Sequence, residues 1–163
     1  MEKEFERLGS NDYEGKSLRT PDYNCIAWAA GRDDQPWWPI DLKPYYWPVS
    51  PREETLENFI SAFELQGYSK CRGPKPKKGI EKVAIYVGPL GNPLHAARQL
   101  ESGIWTSKIG DEEDIEHKTV FVLEGRLYGK AKVFLKRRRD GKPFLSNRVH
   151  AFIKTRSWHK FFR

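Results

Sequence analysis

Apolar and polar positions alternate with two different periods along this chain, and the period changes near residue 80. In "SPREETLENFISAFELQGY" the apolar residues Leu56, Phe59, Ile60 and Phe63 recur at three- and four-residue spacing, which predicts an amphipathic helix. Ser50 can cap it, Pro51 suits a first helical position and Gly67 follows its end. Upstream, "CIAWAA" follows Asp22 and Asn24, side chains that accept from exposed helix amides, and Gly31 supplies a stop, so a short helix is expected there. Between the two, "DDQPWWPIDLKPYYWP" places four prolines among five large aromatics, which forbids a regular helix and predicts an extended loop laid over the body.

Beyond residue 80 the pattern becomes that of strands. "EKVAIYVG", "PLHAARQL" and "IWTSKIG" are separated by the turns "PLGNP" and "ESG", and "KAKVFLKRR" alternates well enough to form a further strand. "DEEDIEHKTVFVLEG" is read as an acidic turn or short helix. The expected fold class is therefore α+β, with helices on one side of an antiparallel sheet of about four to five strands. Residues 1–20 are read as an N-terminal arm, 21–136 as the α+β domain and 137–163 as a basic, aromatic C-terminal extension.

At 163 residues the chain has room for one domain with a real core. The charged start "MEKEFERLGSNDYEGK" reads as neither a secretory signal nor a membrane span, and two cysteines in unrelated contexts suit a reducing compartment. A cytoplasmic location is the expectation, although signal-independent export leaves no such mark. The net charge of +7 is unevenly placed: residues 130–163 hold twelve Lys or Arg against Asp140 alone, so the rest of the chain is mildly acidic.

The chemistry centres on Cys25. A thiol reacts as its thiolate, and unpaired amides at a helix start stabilise that charge. The alternative is that Cys25 is a small buried hydrophobe beginning a core helix. A nucleophilic cysteine needs a base, and His95, inside the second predicted strand, is the natural partner. If "ESG" is a three-residue turn, Gln99 faces Trp105 and Arg98 faces Thr106. His95 then shares a face with Trp105 and Ser107, while Arg98, Thr106 and Lys108 point the other way. Ser107 is the candidate to orient the imidazole. Asn24 is either a local cap or an oxyanion donor. Trp37, Trp38, Trp47 and Trp105 either cover the core or wall a substrate cleft. His117 is expected to pair with neighbouring carboxylates on the surface, and Lys82 and Lys108 to be solvated. No ligand spacing for a metal and no phosphate-binding glycine loop is present, so neither a metal nor a cofactor is expected.

The words "NCIAWAAG", "EKVAIYVG", "HAARQLESGIWTSKIG" and "DIEH" resemble an uncharacterised bacterial domain family. Their layout over residues 20–136 is similar to the papain-like superfamily, particularly the NlpC, CHAP and transglutaminase-like types. That resemblance implies a nucleophilic cysteine starting a helix and a histidine on an antiparallel strand. One departure is that Lys82 stands where NlpC-type enzymes commonly carry the histidine, so that either His95 takes over as base, in a transglutaminase-like arrangement, or the chain is a non-catalytic relative.

The sequence thus leads to a cysteine-dependent hydrolase or acyltransferase acting on an amide bond of a peptide, peptidoglycan or protein glutamine. Cys25 attacks, His95 moves the proton and Ser107 positions it. The other reading is a non-catalytic binding module. In it Arg137, Arg138, Arg139, Arg148, Lys154 and Arg156, interleaved with aromatics, contact nucleic acid or another anionic surface.

Overall fold

Seven segments pair into one antiparallel sheet, the central ones with side chains alternating between two buried faces, in a computed structural model that describes residues 5, 7–9 and 12–142. The strands are β1 (Tyr13–Gly15), β2 (Ser69–Cys71), β3 (Ile80–Val87), β4 (Pro93–Gln99), β5 (Trp105–Lys108), β6 (Asp114–His117) and β7 (Lys130–Arg138). Their order across the sheet is β1-β6-β5-β4-β3-β7-β2. The described helices are α1 (Cys25–Ala29) and α2 (Leu56–Leu65), with one 3-10 turn at Val120–Leu123.

This overturns the expected papain-like α+β architecture with four to five strands: the protein is β-rich, with seven strands and two short helices. The difference has a physical source. Strands β1 and β2 are three residues each, too short to show a period of two. "DIEH" was expected in a turn or helix, yet β6 buries Ile115 and His117 on one face and turns Asp114 and Glu116 to the other. Its acids hid the alternation. Within the expected arm, the described residues pack on the body: β1 pairs with β6, and Phe5 and Leu8 are buried.

Each helix is set by its cap. The Asn24 side chain accepts from the Ala27 amide and starts α1 at Cys25. Helix α2 begins at Leu56, later than Ser50 and Pro51 suggest, because the Thr55 side chain takes the cap by accepting from the Asn58 amide. Asn58 then accepts from the Trp47 indole at 2.6 Å and donates to the Pro51 carbonyl, which ties the proline-rich loop to the helix.

Two cores sandwich the sheet. On the helix side, Val83, Ile85, Val87, Ala96 and Leu135 pack with Ile26, Trp37, Trp47, Phe59 and Phe63. On the other side, Ala84, Tyr86, Ala97, Trp105 and Ile115 pack with Phe5, Leu8, Val120, Leu123 and Tyr128. Burying phenylalanines such as Phe59 and Phe63 contributes up to about 3 kcal/mol each. The β4–β5 register, Arg98 opposite Thr106 and Gln99 opposite Trp105, is the one a three-residue "ESG" turn predicts.

Candidate functional site

The two-sided core separates the proposed nucleophile from its proposed base. Cys25 packs with the helix-side cluster. His95 pairs in register with Tyr86 and stacks on the Tyr128 ring at 4.0 Å, both members of the opposite cluster. A Cys25–His95 dyad is therefore not assembled, because the sheet lies between the two side chains. Burial pushes the Cys25 thiol up to about 11, outweighing the backbone amides of Ala96 and Ile26, which favour the thiolate.

The cation near that sulfur is Lys108. It is fully buried rather than solvated, since its ammonium donates to the Glu112 carbonyl and lies 5.4 Å from the Tyr23 ring centre. Opposite it in the ladder, buried Asp114 accepts from the Tyr23 hydroxyl at 2.5 Å. Burial, followed by that bond to Asp114, pushes the Tyr23 phenol up to about 12. Asn24 acts as a local cap and brace: its amide nitrogen donates to the Trp37 carbonyl, and its oxygen accepts from Ala27 and Trp37. Trp37, Trp47 and Trp105 are core residues and Trp38, half-buried, donates to Glu54. The aromatic cleft is not formed.

Across the sheet, His95 and Ser107 do meet. His95 Nε2 lies 3.1 Å from Ser107 Oγ, and Ser107 Oγ lies 3.0 Å from His117 Nε2. His117 Nδ1 donates to the Thr119 carbonyl at 2.8 Å, so its Nε2 accepts from the Ser107 hydroxyl. Ser107 in turn accepts from His95 Nε2, which leaves His95 Nδ1 as a buried acceptor with no partner. Burial holds His95 well below the ordinary histidine range and lowers His117 to about 4. His117 is thus an interior member of a neutral chain, not a surface partner of carboxylates. With His95 and Ser107 at 0% exposure, this chain joins strands and offers no face to a substrate.

A third constellation sits where β3 begins and β7 ends. In β3, Glu81 is in phase with the core-facing Val83, Ile85 and Val87, so a carboxylate is carried inward. Arg137 faces it across the ladder and bonds it at 2.7 Å and 2.9 Å, while Arg139 bonds it at 3.1 Å. Arg98 stands at 3.9 Å, and the Tyr68 hydroxyl donates to Glu81 at 2.6 Å. Arg138 pairs with Asp140 at the surface. A cavity of about 410 Å³ opens beside Glu81, lined by Arg137, Arg138, Arg139 and Lys142 with Gln66 and Gly67.

Further cationic side chains lie at the same end of the sheet. The Arg139 amide donates to the Gly79 carbonyl, which brings in the β2–β3 connection with its exposed Arg72, Lys75, Lys77 and Lys78. Lys82, expected in solvent, is buried and donates to the Gly73 carbonyl at 2.6 Å, holding this connection in place. At the far rim of the sheet, residues 111–116 carry five acids. Sequence reasoning missed Glu81. The available signal was a charged residue at a core-facing position of an otherwise apolar strand. The expected contacts Arg148, Lys154 and Arg156 lie outside the described residues. Among the described residues no helix is long and apolar enough to cross a membrane.

Residues 14–136 match a family described as a domain of unknown function (DUF7689). No curated protein and no solved structure matches the chain.

Proposed function

We propose that this chain, which belongs to the DUF7689 family, is a binding module that grips nucleic acid along its basic rim. The observation that carries the reading is the gathering of Arg137, Arg138, Arg139 and Lys142 around one cavity, at the same end of the sheet to which the Arg139 amide ties the β2–β3 connection with its four exposed cations. Lys and Arg in such a track replace the counterions of a phosphate backbone, so binding is salt-dependent and largely independent of sequence. The acidic opposite rim excludes the ligand from that side and so orients it.

Fluorescence anisotropy with a labelled oligonucleotide tests this. If about four phosphates are contacted, the slope of log K against log salt should be roughly −3 to −4, the lower value being that of a single strand. The double substitution Lys77→Gln with Lys78→Gln is expected to flatten that slope by roughly 1.5 to 2. Absence of binding at about 50 mM salt, or binding to anionic vesicles alone, removes nucleic acid as the ligand.

A second reading, cysteine-dependent hydrolysis or acyl transfer at an amide bond, is supported by the Cys25 sulfur lying among helix-start amides with Lys108 beside it. It requires the thiol to ionise near neutral pH. A thiol pushed up to about 11 should react with iodoacetamide at pH 7.5 on the order of a hundredfold more slowly than free cysteine. The measurement is made in a Cys71→Ser background, and a rate equal to that of free cysteine would favour the catalytic reading.

A further inference from the structure

We infer that the cavity beside Glu81 is a site for a phosphate monoester, the terminal phosphate of a nucleic acid strand; this rests on the nucleic-acid reading. The argument begins with charge. Four cationic side chains line the cavity against Glu81, and Arg138 is neutralised by Asp140, so two positive charges are left over. A surplus of two matches a dianionic monoester better than the single charge of an internal phosphodiester.

Geometry points the same way. Glu81 does not use up the guanidinium groups around it. Arg137 spends Nε and one Nη2 hydrogen on Glu81 and one Nη1 hydrogen on the Gln66 carbonyl, which leaves an N–H on each terminal nitrogen. Arg139 gives one hydrogen from each terminal nitrogen, to Glu81 and to the Gln99 carbonyl, which leaves a second N–H on each. Glu81 and these carbonyls therefore hold the forks in a fixed orientation, with donors to spare for phosphate oxygens. Arg137 is further held over the Tyr68 ring, 4.5 Å from its centre.

The walls are built from two tight turns. Gly67 (φ 86°) follows the end of α2, and Gly141 (φ 69°) follows the end of β7, each in the left-handed region where a side chain is strained. At about 410 Å³ the space exceeds what a phosphate group needs and leaves room for an attached sugar. Lys142, at the mouth, reaches the phosphate as a mobile point charge, whereas the arginines supply direction.

The experiment compares one oligonucleotide bearing a 5′-phosphate, a 3′-phosphate or hydroxyls at both ends, with inorganic phosphate as a separate probe in thermal melts of the full chain. A phosphorylated end should bind about tenfold or more tightly than the hydroxyl form. The exposed substitutions Arg138→Gln and Lys142→Gln together should abolish this preference while leaving Glu81 paired and the fold intact. Arg19→Gln, on the acidic rim, should leave it unchanged. Equal affinity for all three ends overturns the inference while keeping general nucleic-acid binding, and so does a preference that persists in the double variant. If no oligonucleotide binds but inorganic phosphate raises the melting temperature of the wild type alone, the phosphate site stands and the nucleic-acid reading falls.

Discussion

Replacing Glu81 by alanine is expected to lower the unfolding free energy by about 3–5 kcal/mol. Glu81 is the carboxylate around which Arg98, Arg137 and Arg139 converge, and the Tyr68 hydroxyl donates to it. Its removal leaves three partly buried guanidinium groups repelling one another and orphans a buried phenol. The loss therefore comes from what remains rather than from the contacts deleted. Urea unfolding at pH 7 measures it, and a change below about 1 kcal/mol would show that water, not Glu81, compensates these charges. Combining Glu81→Ala with Arg137→Met should cost less than the two changes summed, because the second removes part of the uncompensated charge left by the first. If the cavity binds phosphate, added inorganic phosphate should recover part of the stability lost by Glu81→Ala.

The second large effect is a loss of stability in acid. His117 is held neutral inside the fold with its titration lowered to about 4, whereas in the unfolded chain it takes up a proton near 6.5. Protons therefore bind the unfolded chain first, and the stabilisation present above 6.5 is lost as pH falls through the folded value. Between pH 6.5 and 4 the loss from His117 should reach about 3 kcal/mol. His95, shifted in the same direction, adds to it. Chemical denaturation at pH 7, 5.5 and 4.5 reads the slope. His117→Gln, which keeps an acceptor near Ser107 without a titrating ring, should flatten it. An unchanged slope in that variant would assign acid sensitivity to other groups.

Much of the local structure follows from single residues. Asn24 marks the start of α1 because its side chain has one geometry in which it accepts from Ala27. The turn at residues 101–103 dictates which side chains of β4 and β5 share a face, and this brought Ser107 to His95. The sheet's extent was hidden because β1 and β2 carry too few residues to display a period, and the acids of β6 resemble those of a turn. The missing dyad is a matter of parity along β4. Ala96 faces the helices, so His95 beside it faces away, and a one-residue difference decides whether an imidazole meets Cys25 or Tyr128. Sequence spacing between Cys25 and His95 carries no information about that parity. The alternation of "KAKVFLKRR" shows β7 to its end, although the same Arg137 and Arg138 open the segment set apart as an extension, and Arg137 encloses Glu81.

The uneven placement of acids and bases across the sheet has a kinetic consequence. With five acids in residues 111–116 beside one rim, offset in part by Lys16, Arg19 and Lys108, and the arginines of β7 at the other, the two ends of the sheet differ in charge. A diffusing polyanion of the kind proposed would turn such a molecule before touching it, so encounters would become productive from a wider range of starting angles. Dilute buffer should therefore speed capture more than it slows escape, and the same difference would draw one copy's cationic rim toward another's acidic rim.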